Sequence, residues 1–192
     1  MAMYSHLRIP ALALAFVAAA STASAQWAGE WKFDETTGLT AADASPNKND
    51  GTLQNFTGTS QWVAGKYGNA LTFDGSDDYV ELPTGKGLPI YKGDGKPYSI
   101  AFWVKAPAQG DKRVYAEGSD SSNNPIITIG SASGSNTDKL RLYFRADAGH
   151  TVINTNSKGT VFDDTWHHVA WVDAWGQTAI YIDGVLDSTN HY

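Results

Sequence analysis

The 192-residue chain contains no cysteine. Disulfides, thiolate metal sites and a cysteine nucleophile are thereby excluded, and an exported domain of this size must be held together by packing. Glutamate is scarce as well: of 20 acidic residues only Glu30, Glu35, Glu81 and Glu117 are not aspartate. Methionine occurs twice, at positions 1 and 3, and Leu and Lys are thin, so the residues that favour helices are missing. Positive charge is short too, with 14 Lys and Arg giving a net charge of −6. No basic stripe offsets it. An acidic surface repels phosphate backbones, which excludes nucleic acid and anionic lipid as expected partners. What the chain does have is 19 Gly and 23 aromatic residues, a mixture that suits turns and half-buried pleated surfaces. The expectation is an all-β protein.

Long apolar runs are confined to the start. Arg8, an apolar stretch from Ile9 to Ala20 and the small-x-small sequence Ala23-Ser24-Ala25 have the layout of a secretory signal peptide over residues 1–25. The stretch has about a dozen apolar residues where roughly 20 are needed to cross a bilayer. The chain is therefore expected to be secreted, to the extracellular space or a periplasm, without membrane insertion. Cleavage would leave Gln26 first and a single domain over 26–192.

From Trp27 onward short apolar runs alternate with turn clusters, the spacing of a sandwich or barrel. Candidate strands are Gly29 to Phe33, Ala70 to Phe73, Tyr79 to Leu82, Tyr98 to Lys105, Arg113 to Glu117, Ile126 to Ile129, Leu140 to Arg145, Thr151 to Asn154, Trp166 to Asp173 and Thr178 to Ile182. They predict a two-sheet antiparallel β-sandwich. Tyr98, Ile100, Phe102 and Val104 share one strand face and Ser99, Ala101, Trp103 and Lys105 the other. Leu140, Leu142 and Phe144 likewise alternate with Arg141, Tyr143 and Arg145. The apolar sets are expected in the core, which leaves a usable outer face on each strand. At the far end, Ile180 to Leu186 reads as a strand, an Asp183-Gly184 turn and the start of a partner strand.

Four ordered segments carry a family resemblance: Trp31 to Glu35 followed by Asp43 to Leu53; Gly68 to Gly75 with Tyr79-Val80; Tyr98 to Val104; and Asp164 to Ala170 with Tyr181 to Gly184. The set resembles the laminin-G-like (pentraxin-like, concanavalin A-like) jelly-roll domains of secreted proteins. The resemblance implies a jelly-roll sandwich. It also implies two further strands after the Asp-Gly hairpin, so the chain ending at Tyr192 is expected to lack its last strands and to expose an unpaired edge.

For a metal, the loop from Asp43 to Gly51 places oxygen-bearing side chains at Asp43, Ser45, Asn47 and Asn49, with Asp50 beside them. Calcium takes six to eight oxygens from such a flexible loop, making Asp43, Asn47, Asn49 and Asp50 candidate ligands of a structural Ca²⁺. Asp34 and Asp74 are possible contributors. The competing reading is an Asx-rich turn bonded to its own backbone. Where the resemblance applies, a structural calcium often sits near this loop. His167 and His168 point to opposite faces of a strand and do not readily share one zinc.

Catalytic patterns are incomplete. The chain has no G-x-S-x-G elbow and no E-x-D-x-x-E strand of the kind carried by concanavalin A-like glucanases. Leu142 to Gly149 faintly resembles the Y-F-K-A-G strand of jelly-roll alginate lyases, which would make Tyr143 an acid/base and Arg145 a clamp, but that family's other motifs are missing. Binding suits the surface better. Sugars offer apolar ring faces with hydroxyl edges, so Trp103, Arg141, Tyr143 and Arg145 are the candidate carbohydrate-binding residues, on the condition that their strands share a sheet. The expected function is a secreted binding module for a glycan. An adhesion domain recognising a cell-surface or extracellular protein, and a polysaccharide hydrolase or lyase or its accessory domain, are the alternatives.

Overall fold

The computed structural model describes residues 27–57, 61–90, 97–118, 125–146 and 149–192. The expected signal peptide and Gln26 lie outside these residues. Every described element is a β-strand or a turn apart from a 3₁₀ residue at Ile90. The strands are β1 Thr40–Ala41, β2 Gly51–Gln54, β3 Trp62–Ala64, β4 Asn69–Leu71, β5 Tyr79–Glu81, β6 Tyr98–Val104, β7 Arg113–Gly118, β8 Ile126–Ser131, β9 Lys139–Arg145, β10 Thr151–Thr160, β11 His167–Ala174, β12 Gln177–Ile182 and β13 Val185–His191.

Two four-stranded antiparallel sheets, ordered β10-β9-β8-β7 and β13-β12-β11-β6, form an open sandwich. The alternation read from the sequence explains how they stack. Leu140, Leu142 and Phe144 of β9 join Ile127 and Ile129 of β8 on one inner face, and Val169, Trp171 and Ile180 supply the other, with Tyr98, Ile100, Phe102 and Val104 packed against them. Trp171 is fully buried and meets the rings of Phe144 at 4.7 Å and Tyr98 at 5.0 Å, both nearly edge-on, the geometry aromatic pairs prefer. One sandwich edge is fastened by Asp187 of β13, whose carboxylate accepts the backbone N–H groups of Lys158 (2.9 Å) and Gly159 (2.6 Å) on β10.

Residues 27–90 add two smaller sheets, β1-β2-β5 and β3-β4. Here the structure corrects the sequence reading. The expected strand from Gly29 to Phe33 is reduced to one bridge between Trp31 and Asp43. Phe33 has a φ of 56°, a left-handed conformation that ends strand geometry. Conversely β1, β2 and β3 fall in stretches where no strand is expected from sequence, because strands of two to four residues are too short to display alternation. β10 runs to Thr160 instead of stopping near Asn154, through an irregularity between Asn156 and Thr160 where Ser-Lys-Gly mimics a turn. The Asp183-Gly184 turn forms as expected, with φ values of 51° and 80° that suit the tight hairpin between β12 and β13.

Candidate functional site

The condition set on the sugar-binding group is not met. Trp103 belongs to β6 and Arg141, Tyr143 and Arg145 to β9, and these strands lie in different sheets. Because the neighbours of each set point into the shared core, the side chains themselves stand on opposite outer faces of the sandwich. The four residues therefore form two surfaces.

On the β6 side, Trp103 is 40% exposed and pairs across the sheet with His168 of β11, the rings 5.2 Å apart. Tyr67, 71% exposed, meets Trp103 edge-on at 5.6 Å, and the Lys66 ammonium lies 5.5 Å from the indole centroid, within range of a cation–π contact. Two large exposed rings with a positive group and an imidazole beside them make an aromatic ledge. Tyr67 was missed from sequence because it sits in the β3–β4 turn, far from Trp103 in the chain. That turn is not left to itself. Gly65 N–H bonds Gly68 C=O at 2.9 Å, and Asp34 accepts Asn69 N–H at 3.0 Å while Asn69 Nδ2 donates to the carbonyls of Asp34 and Glu35 at 3.2 Å. Gly68 has a φ of 59°, and a Cβ there would come within 2.1 Å of Asp34 Oδ1. Asp34 thus acts as a brace for the turn that presents Tyr67.

On the β9 side, the Arg141 guanidinium lies 4.7 Å from the centroid of the Tyr143 ring. Its Nε donates to Asn154 Oδ1 at 2.9 Å, and Arg145 Nε donates to Gly149 C=O at 3.4 Å.

The four residues expected to hold calcium take unequal parts. Asp43 is 2% exposed and its two oxygens already accept four bonds: Oδ1 from Glu30 N–H and Ser45 N–H, both at 2.8 Å, and Oδ2 from Ser45 Oγ–H and Asn49 N–H, both at 2.7 Å. Burial alone would raise its pKa, but these donors overcome it and hold the carboxyl at about 2. Asp50 Oδ1 accepts Asp43 N–H at 2.8 Å. Asp43 thus spends both oxygens, and Asp50 its Oδ1, on the loop's own hydrogen bonds. Asn47 and Asn49 are different. The Asn47 amide nitrogen faces the carbonyls of Trp27 (2.9 Å), Lys86 (3.0 Å) and Ala28 (3.2 Å), and that of Asn49 faces those of Ala28 (2.8 Å) and Lys86 (3.4 Å). Three carbonyls and two side-chain amides converge on one point.

Asp74 was expected to assist this loop. It lies instead with Asp77 and Asp78, the three offering carboxylate oxygens within 4.8 Å of one another. Two of their bonds are local: Asp78 Oδ2 accepts Asp74 N–H at 2.9 Å and Asp74 Oδ1 accepts Ser76 N–H at 2.7 Å.

The histidine pair also divides. His168 joins the ledge, whereas His167 is clasped by carboxylates, Nδ1 to Asp183 Oδ2 at 2.7 Å and Nε2 to Asp163 Oδ1 at 3.2 Å, with Thr165 Oγ 3.0 Å from Nε2. Desolvation would lower the imidazole pKa, but the two carboxylates outweigh it and raise it above 6.5. Asp183 is lowered first by the His168 backbone N–H and then by His167, and Asp163 first by the Thr165 hydroxyl. The sign follows from linkage. The histidine contribution is complete below about pH 6.5 and is lost as pH rises through its raised pKa; the aspartate contribution is lost as pH falls through their depressed values. Melting temperatures should therefore decline as pH rises above about 6.5, and Asp183→Asn should flatten that decline. Equal slopes in the two proteins would contradict the assignment.

Comparisons with known proteins agree with this architecture. Residues 74–192 match a family model described as the concanavalin A-like lectin/glucanases superfamily. No curated protein matches the chain. Among solved structures, an S-layer domain-containing protein from Clostridium thermocellum is 25% identical, with a TM-score of 0.52 over 84% of this chain and 71% of its own. Domain 4 of a GH43 extracellular arabinanase from Geobacillus stearothermophilus, determined in complex with arabinotriose, is 20% identical, with a TM-score of 0.61 over 86% of this chain and 75% of its own. The binding domain of Paraclostridial Mosquitocidal Protein 1 is 14% identical, with a TM-score of 0.58 over 83% of this chain and 41% of its own.

Proposed function

The chain belongs to the concanavalin A-like lectin/glucanases superfamily, and on that premise we propose that it is a secreted, non-catalytic module that binds a polysaccharide on the ledge of Tyr67, Trp103 and His168. The observation that carries this reading is the exposure of Trp103, on the outer face of β6, and Tyr67, on the β3–β4 turn, as a contiguous pair. Exposed rings of this size are expensive to leave in water, and a sugar ring face covers them while hydroxyls reach Lys66 and His168. Binding without turnover fits the chemistry of the ledge. Its ring contacts are with an ammonium and an imidazole, and the nearby carboxylates are engaged in structure, Asp34 on the Tyr67 turn and Asp183 on His167 and the His168 backbone, whereas glycoside hydrolysis needs a pair facing the sugar. The arabinotriose complex of the structurally similar arabinanase domain supports a sugar as ligand class. Retention of the intact protein on neutral polysaccharides, and its loss in Tyr67→Ala/Trp103→Ala, tests the reading. Retention that depends on a protein coat and ignores competing sugars would point to the adhesion alternative.

A structural calcium is part of the proposal, at a place shifted from the one expected. Turning the Asn47 and Asn49 amides by half a turn exchanges N for O in the same envelope, and the three carbonyls of Trp27, Ala28 and Lys86 then join two Oδ1 atoms in a five-oxygen cage. Calcium supplies the charge that would hold those oxygens together. With no carboxylate among these five, affinity should fall in the range of about 10⁻⁴–10⁻³ M found for extracellular modules. Millimolar Ca²⁺ is expected to raise the melting temperature and a chelator to reverse it, with Asn49→Ala abolishing the response. A response that survives Asn49→Ala would remove the cage from the account.

A further inference from the structure

Charge is unevenly divided between the two halves of the sandwich. The four strands β7 to β10 carry Arg113, Lys139, Arg141, Arg145 and Lys158 against one acid, Glu117, a balance of +4 in a chain whose net charge is −6. Lys139 is committed to Asp138 and Thr160, at 2.9 and 3.0 Å. Arg141 and Arg145 are not. Among the described residues no carboxylate pairs with either, and each is held by Nε alone, so the terminal guanidinium nitrogens remain available.

From this we infer that the outer face of β9, with Arg141, Tyr143 and Arg145 as its row, is a second binding site, for an anionic polysaccharide. The inference rests on the reading of the chain as a glycan-binding module but uses the opposite face from the aromatic ledge. Three features argue for it. The guanidinium of Arg141 is preset by Tyr143 beneath it and Asn154 beside it, which lowers the entropy lost on binding. A planar fork matches a carboxylate or sulfate with two parallel bonds, which a lysine cannot do. Finally, Arg141 and Arg145 are four positions apart on one strand, about 13 Å along the backbone at the usual rise, a row that suits successive residues of a polymer. Asn154, the partner of Tyr143 in register on β10, adds a short exposed polar group for hydroxyls.

The same arginines could in principle face a nucleic acid. The row's one aromatic ring, Tyr143, is already covered by the Arg141 guanidinium, so the face lacks the free rings on which unpaired bases stack, which favours a glycan.

The test uses the intact protein in affinity electrophoresis and calorimetry with polygalacturonate, dextran sulfate, single-stranded DNA and neutral arabinan. Polygalacturonate or dextran sulfate, or both, should bind, more weakly at 0.5 M than at 0.05 M NaCl, and which of them binds distinguishes carboxylate from sulfate as the recognised group. Arg141→Gln/Arg145→Gln should weaken that binding about tenfold or more, one charge-assisted bidentate contact accounting for that much, while arabinan binding stays as it was. Trp103→Ala should do the reverse. The charge-preserving Arg141→Lys/Arg145→Lys protein should fall between, which keeps the test open if the Gln protein is poorly folded. Binding of anionic polymers that is unchanged in both arginine variants, absent altogether, or surpassed by DNA would overturn the inference. Failure of the intact protein to bind any neutral polysaccharide while it binds the anionic polymers would count against the aromatic ledge and leave this face standing.

Discussion

Replacing Trp171 with alanine is expected to destabilise the protein by about 3–5 kcal/mol, the range for emptying a fully buried Trp or Phe position. Typical domains have about 5–15 kcal/mol in total, so the variant should unfold at a far lower denaturant concentration. The site cannot collapse easily. Trp171 sits between Phe144 of the facing sheet and Tyr98 of its neighbour strand, both in edge-on contact with it, and a cavity there would strip contacts from each. The indole N–H adds a second element, for it is buried without a hydrogen-bond partner among the described residues. Such an orphan donor costs about 1–3 kcal/mol. Trp171→Phe removes it along with part of the ring, so its net loss should be much smaller, under about 2 kcal/mol. Urea unfolding at fixed pH separates the two. An alanine variant within about 1 kcal/mol of the parent would mean that this ring is not the centre of the core.

The same strands show what sequence patterning can and cannot convey. Period-two alternation along Tyr98–Val104 and Lys139–Arg145 named the inward residues correctly, because each of these strands is seven residues long and buried on one face. It could not say whether β6 and β9 were sheet neighbours, since alternation is a property of one strand and pairing depends on distant residues. That is why the grouping of Trp103 with Tyr143 stayed conditional on a shared sheet, and the two lie on opposite faces. Tyr67 illustrates the complementary gap. Its ring reaches Trp103 only because a turn is braced by Asp34, a contact between residues more than thirty apart in sequence. In the Asp43 loop the spacing of oxygen-bearing residues was legible, but the division of labour was not. Backbone donors decide which carboxylates are consumed, and those donors become visible only once the chain is folded.

The second large effect concerns the ledge. Trp103→Ala should weaken polysaccharide binding by about 2 kcal/mol or more, roughly thirtyfold, as expected of a tryptophan at the centre of a binding patch. Adding Tyr67→Ala should take binding below detection, although the two losses will not simply add because the rings touch. Stability should change little. Neither ring belongs to the buried core, so the loss should be limited to the surface contacts of Trp103 with His168, Tyr67 and Lys66, about 1 kcal/mol. A binding loss accompanied by an unaltered melting temperature would therefore be assigned to the ligand contact.

The most direct test of the account is affinity electrophoresis of the intact protein and of Tyr67→Ala/Trp103→Ala through gels containing neutral polysaccharides such as arabinan, xylan and mixed-linkage glucan. The account predicts retardation of the intact protein by at least one of these polymers and free migration of the doubly substituted protein. Free migration of the intact protein in every gel, or equal retardation of both proteins, would contradict it.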